Sequence, residues 1–370
     1  MKLGILCGGR SGEHEVSLQS ALGIFGAAER PRFEPLLVAI DKDGLWHAGQ
    51  PDQLLLHPGD PARIRLNPQS SPLLPIAEGG RCLLVNRENL KTAHEVEVFF
   101  PIVHGTDGED GALQGMLRLM DVPFVGADVA GSAIGMDKDL TKRLLGQAGL
   151  PVARWETLAG AEAGSGRFAE FLRAWGCAAL FVKPAALGSS VGVSRAESEP
   201  QFAAALATAF RYGATALVEE AVEGREIECS VLGNRLGATG PPRASRAGEV
   251  VSRHAFYSYQ AKYLDPEGAK LSIPAELAPN TEAEIQRLAV RAFEILGCDG
   301  LARVDFFLKP DGSLLVNEIN TLPGFTNISM YPKLWEASGL AYSDLITRLV
   351  ELAIERHRAR AALERDFHGG

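Results

Sequence analysis

Four side chains able to bind a metal ion or steady an anion are crowded into residues 301–324, which read LARVDFFLKPDGSLLVNEINTLPG. Apolar runs at 301–308 and 314–319 flank Pro310-Asp311-Gly312. Proline presets φ for a turn and glycine takes the left-handed position, so the spacing predicts a β-hairpin. Side chains alternate along a strand. Arg303 and Asp305 therefore share one face of the first strand, and Glu318 and Asn320 share one face of the second. With the strands in register, two carboxylates, an amide oxygen and a guanidinium converge. Such groups inside apolar strands are costly unless something binds them. Mg²⁺ would do so, because it takes oxygen ligands, a few from protein and the rest from water and phosphate. The plainer reading is a structural Arg303–Asp305 ion pair, with Glu318 and Asn320 capping the strand end. The tail Thr321-Leu322-Pro323-Gly324-Phe325-Thr326 adds backbone N–H groups beside the carboxylates.

The string R-x-D…N-E-I-N-T-x-P-G-x-T resembles the C-terminal signature of the ATP-grasp ligases, and more narrowly that of the D-alanine–D-alanine ligases. The resemblance implies that Asp305, Glu318 and Asn320 hold two Mg²⁺ ions, with Mn²⁺ as a substitute. It also implies that Arg303 and the Gly324 N–H stabilise an oxyanion.

Further motifs follow the same family in the same order. Glu13, near a predicted helix N-terminus, would by itself only complement the helix dipole. G-G-x-S-x-E-H-E-V-S is similar to the family's opening motif, which makes Glu13 the anchor for the ammonium of the first D-alanine. The loop H-G-x-x-G-E-D-G follows a strand, where α/β folds bind ligands. By resemblance His104 lies near the first substrate's carboxylate, while Asp107, Glu109 and Asp110 close the loop. Lys138 and Lys142 stand one turn apart on a helix, and unaided they read as a solvated basic edge. M-D-K-x-x-T-K resembles the segment whose first lysine reaches ATP phosphates, which favours Lys138 over Lys142. The small residues of 184–192 let backbone N–H groups approach an anion, with Lys183 supplying a point charge. This is not a P-loop, and a hairpin without function fits the spacing too. Its likeness to the family's mobile phosphate-covering loop assigns Lys183, Gly188 and Ser189 to ATP.

Residues 218–228 carry five acids, ordinarily a solvated edge. The family's equivalent crosses between two ATP-clamping domains. It implies that Glu219 and the backbone near Val222 read the adenine edge and that Glu226 holds ribose hydroxyls; Glu220 takes no role. Residues 240–275 lack a regular apolar period and read as a lid. Y-x-x-K-Y resembles the family's ω-loop, carrying over Lys262 (second substrate and ATP) and Tyr263 (second substrate and catalysis). Asn327-Ile328-Ser329-Met330 resembles the loop that binds the second carboxylate through Ser329 Oγ and the Met330 N–H. A proton network of Ser189, Tyr263 and Glu13 is one route for the attacking amine's proton, and released phosphate is another.

The rest of the chain must position these groups. At 370 residues it exceeds one compact core. Its 46% hydrophobic and 22% charged residues are those of an ordinary soluble globular protein. A net charge of −9 without a long basic run argues against nucleic acid. Five scattered cysteines without C-x-x-C spacing read as reduced thiols, and no signal peptide or 18-residue apolar span is visible, so the cytoplasm is expected and a membrane is not. Residues 1–9 read as a buried strand, 10–29 as a turn and helix, and 32–40 as a second strand. Residues 44–95 read as an insertion of small strands without chemistry, and 126–134 as a linker. A helix starts at Met136-Asp137-Lys138, with Asp137 as its cap, and stops at Gly149. Thr281 and Glu284 predict a capping box on a helix over 281–296 that Gly297 ends. Residues 342–365 are amphipathic and read as packing.

The expected fold is α/β (α+β): an ATP-grasp fold of three domains. Residues 1–126 form a Rossmann-like (pre-ATP-grasp) substrate-binding domain. Residues 127–218 carry the phosphate loop, and 219–370 the lid and metal site. The implied activity is ATP-dependent ligation of two D-alanine molecules through an acyl phosphate, for peptidoglycan precursor synthesis, by a homodimer. D-alanine–D-lactate ligation, another ATP-grasp carboxylate–amine ligation and a nucleotide-sensing module are the other readings.

Overall fold

The computed structural model describes residues 1–236, 240–252, 269–326 and 328–364. Strand β1 (Lys2–Gly8) is buried almost throughout and lies parallel to both β2 (Glu34–Ile40) and β9 (Val98–Pro101). A strand covered on both faces needs the continuous apolar run that LGILC supplies. The helix His14–Ala27 crosses over between β1 and β2. The 44–95 segment contributes β3 (Trp46–Gly49), a two-stranded ribbon of β4 (Leu55–Leu56) and β5 (Arg65–Leu66), and β6 (Leu73–Glu78), β7 (Arg81–Asn86) and β8 (Thr92–Val96). It extends the sheet to the order β8-β7-β6-β3-β2-β1-β9.

A four-stranded antiparallel sheet follows, built from β10 (Trp155–Leu158), β11 (Leu180–Pro184), β12 (Ser194–Ala196) and β13 (Ala216–Glu220) in the order β10-β13-β11-β12. Helices Phe168–Trp175 and Glu199–Ala209 close its core through Phe168, Phe171, Phe202 and Leu206. The third sheet contains β14 (Arg225–Gly233), β15 (Arg243–Ser252), β16 (Ala269–Ser272), β17 (Gly300–Leu308) and β18 (Leu314–Asn320), ordered β16-β15-β14-β17-β18. The helix Pro279–Ile295 lies on it through Ile285, Leu288, Ala292 and Phe293. Gly312 takes φ +83° in the predicted turn between β17 and β18. Strand β13 runs two residues past the expected boundary at 218.

Two expectations fail. Residues 126–134 are not a linker: Val129–Met136 is a helix, with the Asp128 carboxylate accepting from the Val129 N–H. Its glycines allow close packing, since a Cβ at Gly131 would stand 2.6 Å from the Gly297 carbonyl oxygen. Thr281 and Glu284 form no capping box. The helix begins two residues earlier, where Pro279 presets φ, its Ala278 cap makes no side-chain bond, and Glu284 pairs with Arg287 at 2.6 Å. Gly297 does end it, at φ +73°.

The C-terminal part closes back on the first sheet. Helix Tyr342–Ala361 buries Leu345, Ile346 and Leu349 in the core that holds Leu3, Ile5, Leu18 and Phe100. Phe325, just beyond β18, is fully buried there. Its ring meets Phe100 at 5.4 Å, Tyr331 at 5.5 Å and Tyr342 at 5.9 Å. Phe325→Ala should therefore lower stability by about 3–5 kcal/mol in urea unfolding, and Phe325→Leu by clearly less. Equal losses in the two variants would show that contact geometry, not cavity size, sets the cost.

Candidate active site

The residues singled out by type and spacing come from all three sheets. The β17–β18 ladder sets Arg303 opposite Asn320 and Asp305 opposite Glu318. Arg303 donates through Nε and Nη2 to the two oxygens of Asp305, both at 2.7 Å, and its Nε lies 2.9 Å from Glu228 Oε2 on β14. Burial weakens the guanidinium charge, but Asp305 and Glu228 outweigh it and hold the pKa well above its ordinary value. Glu318 Oε2 lies 3.6 Å from Lys138 Nζ. The Asn320 side-chain oxygen accepts from the Leu322 N–H at 3.0 Å, which starts the turn into 321–326. A Cβ on Gly324 would stand 2.9 Å from Ser329 Oγ, so a side chain there would displace that hydroxyl. Ser329 Oγ in turn accepts from the Thr326 N–H at 3.0 Å, and Met330 begins the helix Met330–Ala337.

The phosphate-type loop runs between β11 and β12. Ser189 and Ser190 adopt φ of +53° and +58°, and Gly192 +74°. Non-glycine residues seldom sit there without a reason. Ser189 Oγ donates to Glu13 Oε1, which joins the first sheet to the central one. The Gly188 backbone passes beside Glu13, whose Oε2 would lie 3.9 Å from a Cβ there. Glu13 caps the helix His14–Ala27 without a side-chain cap bond. Lys138, first residue of the helix Lys138–Gln147, donates through Nζ to the Leu187 carbonyl at 2.8 Å. Asp137 caps that helix through the Asp139 and Leu140 N–H groups.

His104 is buried, with Nδ1 3.4 Å from Glu109 and Nε2 3.2 Å from Ser20 Oγ. Burial opposes its protonation, yet the Glu109 and Glu13 carboxylates together raise its pKa. Glu109 accepts from the Gly105 N–H and Asp110 from the Asp107 and Ala112 N–H groups, so the acids close the loop. Val222 and Glu226 are half-buried, in the connection from β13 to β14 and at the start of β14. Lys262 and Tyr263 lie outside the described residues, as does Asn327.

One reading needs correction. Lys142 is not a solvated lysine: its side chain is 1% exposed and pairs with Glu219 Oε1. Thr141 and Leu145 are also buried, so the helix face that carries Lys142 is the covered one. The Glu219 carboxylate, expected at the adenine edge, is engaged by two lysines, the first being Lys142. Its second oxygen takes Lys183 Nζ at 2.6 Å, so the carboxylate sits between two ammonium groups. Burial pushes the Glu219 carboxyl up, and Lys142 and Lys183 more than reverse it, holding the pKa low. Burial lowers that of Lys142, with Glu219 offsetting only part. Burial also acts against Lys183, but Glu219 and Glu318 raise it. Glu228, unassigned among the five acids, is the third partner that sequence reasoning missed; its place opposite Asp305 on β14 required the strand pairing.

No group of three or more His, Cys, Asp and Glu side chains able to hold a metal occurs among the described residues. The Asp305, Glu318 and Asn320 set is instead two carboxylates and an amide. An all-oxygen set with few protein donors fits Mg²⁺, which keeps water and phosphate oxygens for the remaining positions. No helix among the described residues is long and apolar enough to cross a membrane.

A glycine- and serine-rich loop over one sheet, facing an acid-bearing hairpin of the next, defines an ATP-grasp ligase. Comparison with known proteins narrows this. Family models described as D-ala D-ala ligase N-terminus and C-terminus match residues 2–127 and 144–351. The chain is 52% identical over 364 residues to D-alanine–D-alanine ligase A of Escherichia coli (strain K12), covering 98% of each. The structure of the D-alanine–D-alanine ligase from Coxiella burnetii matches with a TM-score of 0.82 and 39% identity, over 98% of this chain and 97% of that one. A D-Ala:D-Ser ligase from Enterococcus faecalis matches with a TM-score of 0.79 and 31% identity, over 95% and 99%. The chain belongs to the D-alanine–D-alanine ligase family.

The two-lysine carboxylate has a stability consequence. Its contribution is complete above the ordinary glutamate range and is lost as pH falls through the lowered native value. Glu219→Gln leaves two buried ammonium groups without their counter-charge. It should lower stability at pH 7 by about 3–5 kcal/mol. Urea unfolding between pH 3 and 7 should also show a shallower acid decline than wild type; an identical decline would remove Glu219 from the balance.

Proposed function

We propose that this chain ligates two D-alanine molecules to D-alanyl-D-alanine, converting ATP to ADP and phosphate, in the bacterial cytoplasm and as a homodimer. Supporting it most is one chain of contacts: Ser189 ties Glu13 to the phosphate-type loop, and Lys138 ties that loop, at Leu187, to Glu318 of the Arg303 hairpin. An ammonium anchor and an oxyanion donor in one site suit a ligase better than a nucleotide sensor.

In this reading Glu13 holds the first ammonium, and His104, raised toward protonation, favours the first carboxylate. A carboxylate oxygen attacks the γ-phosphorus, the bond to the β-phosphate oxygen breaks, and ADP leaves. Lys138, Lys183 and the Gly188–Ser189 backbone neutralise the phosphates. The backbone between Glu219 and Val222 takes the adenine edge and Glu226 the ribose. Asp305, Glu318 and Asn320 would hold Mg²⁺, which when bound supplies charge neutralisation to the β- and γ-phosphates. The second D-alanine's amine then attacks the acyl carbon, the acyl–oxygen bond breaks, and phosphate leaves. Arg303 and the Gly324 N–H face the developing oxyanion, each such donor being worth roughly 3–4 kcal/mol in enzymes generally. Ser329 and the Met330 N–H bind the second carboxylate. Lys262 and Tyr263 complete that subsite, with Tyr263, Ser189 and Glu13 available to pass the amine's proton.

The test is product formation from ATP, Mg²⁺ and D-alanine. ADP, phosphate and dipeptide should appear in equal amounts, L-alanine should be poor, and D-alanine should outcompete equal D-lactate or D-serine at neutral pH. ATP turnover equal with D- and L-alanine would sink the proposal. Separately, Glu318→Gln keeps size and removes one negative ligand. Melting temperature should hold while turnover falls at least about 100-fold and the Mg²⁺ requirement rises. Lost melting temperature with activity per folded molecule retained would instead make Glu318 structural.

A further inference from the structure

Two buried cations share one buried carboxylate beneath the phosphate-type loop, and only one of the two is assigned to ATP. Lys142 Nζ pairs with Glu219 Oε1, sits 3.5 Å from the Ala153 carbonyl oxygen and 5.7 Å from the Trp155 ring centroid. Its side chain is 1% exposed, against 10% for Lys183 and 5% for Glu219. Lys142 rises from the helix Lys138–Gln147, whereas Lys183 stands at the end of β11, where the phosphate-type loop begins.

A buried carboxylate left alone is strongly unfavourable, and a one-to-one buried ion pair resists separation for the same reason. With Lys183 as its only partner, Glu219 would hold that ammonium firmly. With Lys142 on its other oxygen, Glu219 stays neutralised when Lys183 turns to another anion. We propose that Lys142 is a positioning residue for nucleotide use: it retains Glu219 so that Lys183 is free to engage the phosphates. The inference rests on the ATP-dependent reading above and deepens it, since it gives a role to a lysine which that reading leaves unused. It also predicts where the effect falls. Phosphate contacts depend on Lys142, and contacts to the nucleoside do not.

The experiment is calorimetric titration of full-length wild type, Lys142→Met and Lys142→Arg with Mg²⁺-ATP and with adenosine, without D-alanine. Lys142→Met should weaken ATP binding about tenfold, because Lys183 becomes the sole counter-charge of Glu219. Adenosine affinity should stay within about twofold, and Lys142→Arg should recover most of the ATP affinity, since it keeps the charge. Unchanged ATP affinity in Lys142→Met overturns the proposal. So does an equal loss for ATP and adenosine, which marks a structural collapse of the site. Should Lys142→Met not fold, wild type carries the test through side-chain ammonium resonances. Adding a non-hydrolysable ATP analogue should shift the Lys183 signal and leave that of Lys142 in place; a shifted Lys142 signal overturns the inference. Failure of the ligase reading is distinguishable, because wild type would then form no dipeptide whatever Lys142 does.

Discussion

The ladder between β17 and β18 is the constraint on which the site depends, and it is not a plain ladder. From the turn, Leu308 pairs with Leu314, Phe307 with Leu315 and Phe306 with Val316. Continued without interruption, that pairing would set Asp305 opposite Asn317 and Arg303 opposite Ile319. The register shifts between Phe306 and Asp305, so that Asp305 meets Glu318 and Arg303 meets Asn320. One extra residue on β18 thus moves Glu318 and Asn320 onto the face of Asp305 while Val316 and Ile319 stay buried. Bulges of this kind re-aim side chains at functional sites. The polar groups then need partners at once: Arg303 lies between Asp305 and Glu228, Lys138 stands by Glu318, and the Leu322 N–H binds Asn320.

From that hairpin the site is assembled by short reaches between sheets. Lys138 ties the helix Lys138–Gln147 to both Leu187 and Glu318. Ser189, in a left-handed backbone conformation, ties the phosphate-type loop to Glu13. Ser20 serves His104 on one side and the Phe325 N–H on the other. Each link joins segments far apart in the chain, so no single sheet carries the chemistry. Packing holds them to one another: Phe325 anchors the strand end in the core shared by the first sheet and the C-terminal helix.

Much of this was legible from residue type and spacing, and the failures are informative. The hairpin, its Pro-Asp-Gly turn, the Asp137 cap and the Gly297 stop each rest on local chemistry, and each is present. The capping box failed because Pro279 offered an earlier start that local preference could not rank against Thr281. The helix Val129–Met136 was missed because its glycines read as linker, whereas they permit close approach to residues 297 and 321. Lys142 was misjudged because charge alone suggests solvent, and its partner lies 77 positions away on β13. The bulge left no mark that alternation alone could detect. Long-range pairing, not propensity, decided all three of these last cases.

The charges of the site are arranged as exchanges. Lys138, proposed for phosphate, faces Glu318, proposed for Mg²⁺. Separating them for phosphate alone would leave a carboxylate without its cation, and separating them for metal alone would leave an ammonium without its anion. Uncompensated charges in partly buried sites are costly. Phosphate and metal arriving together satisfy both partners, so each favours the other, and such coupling is reciprocal by necessity. Lys183 and Glu219 stand differently, because Glu219 is not among the proposed metal donors. Its second partner, Lys142, does for Glu219 what the metal would do for Glu318. The two lysine–carboxylate pairs thus reach the same end, one through a ligand and one through the protein itself.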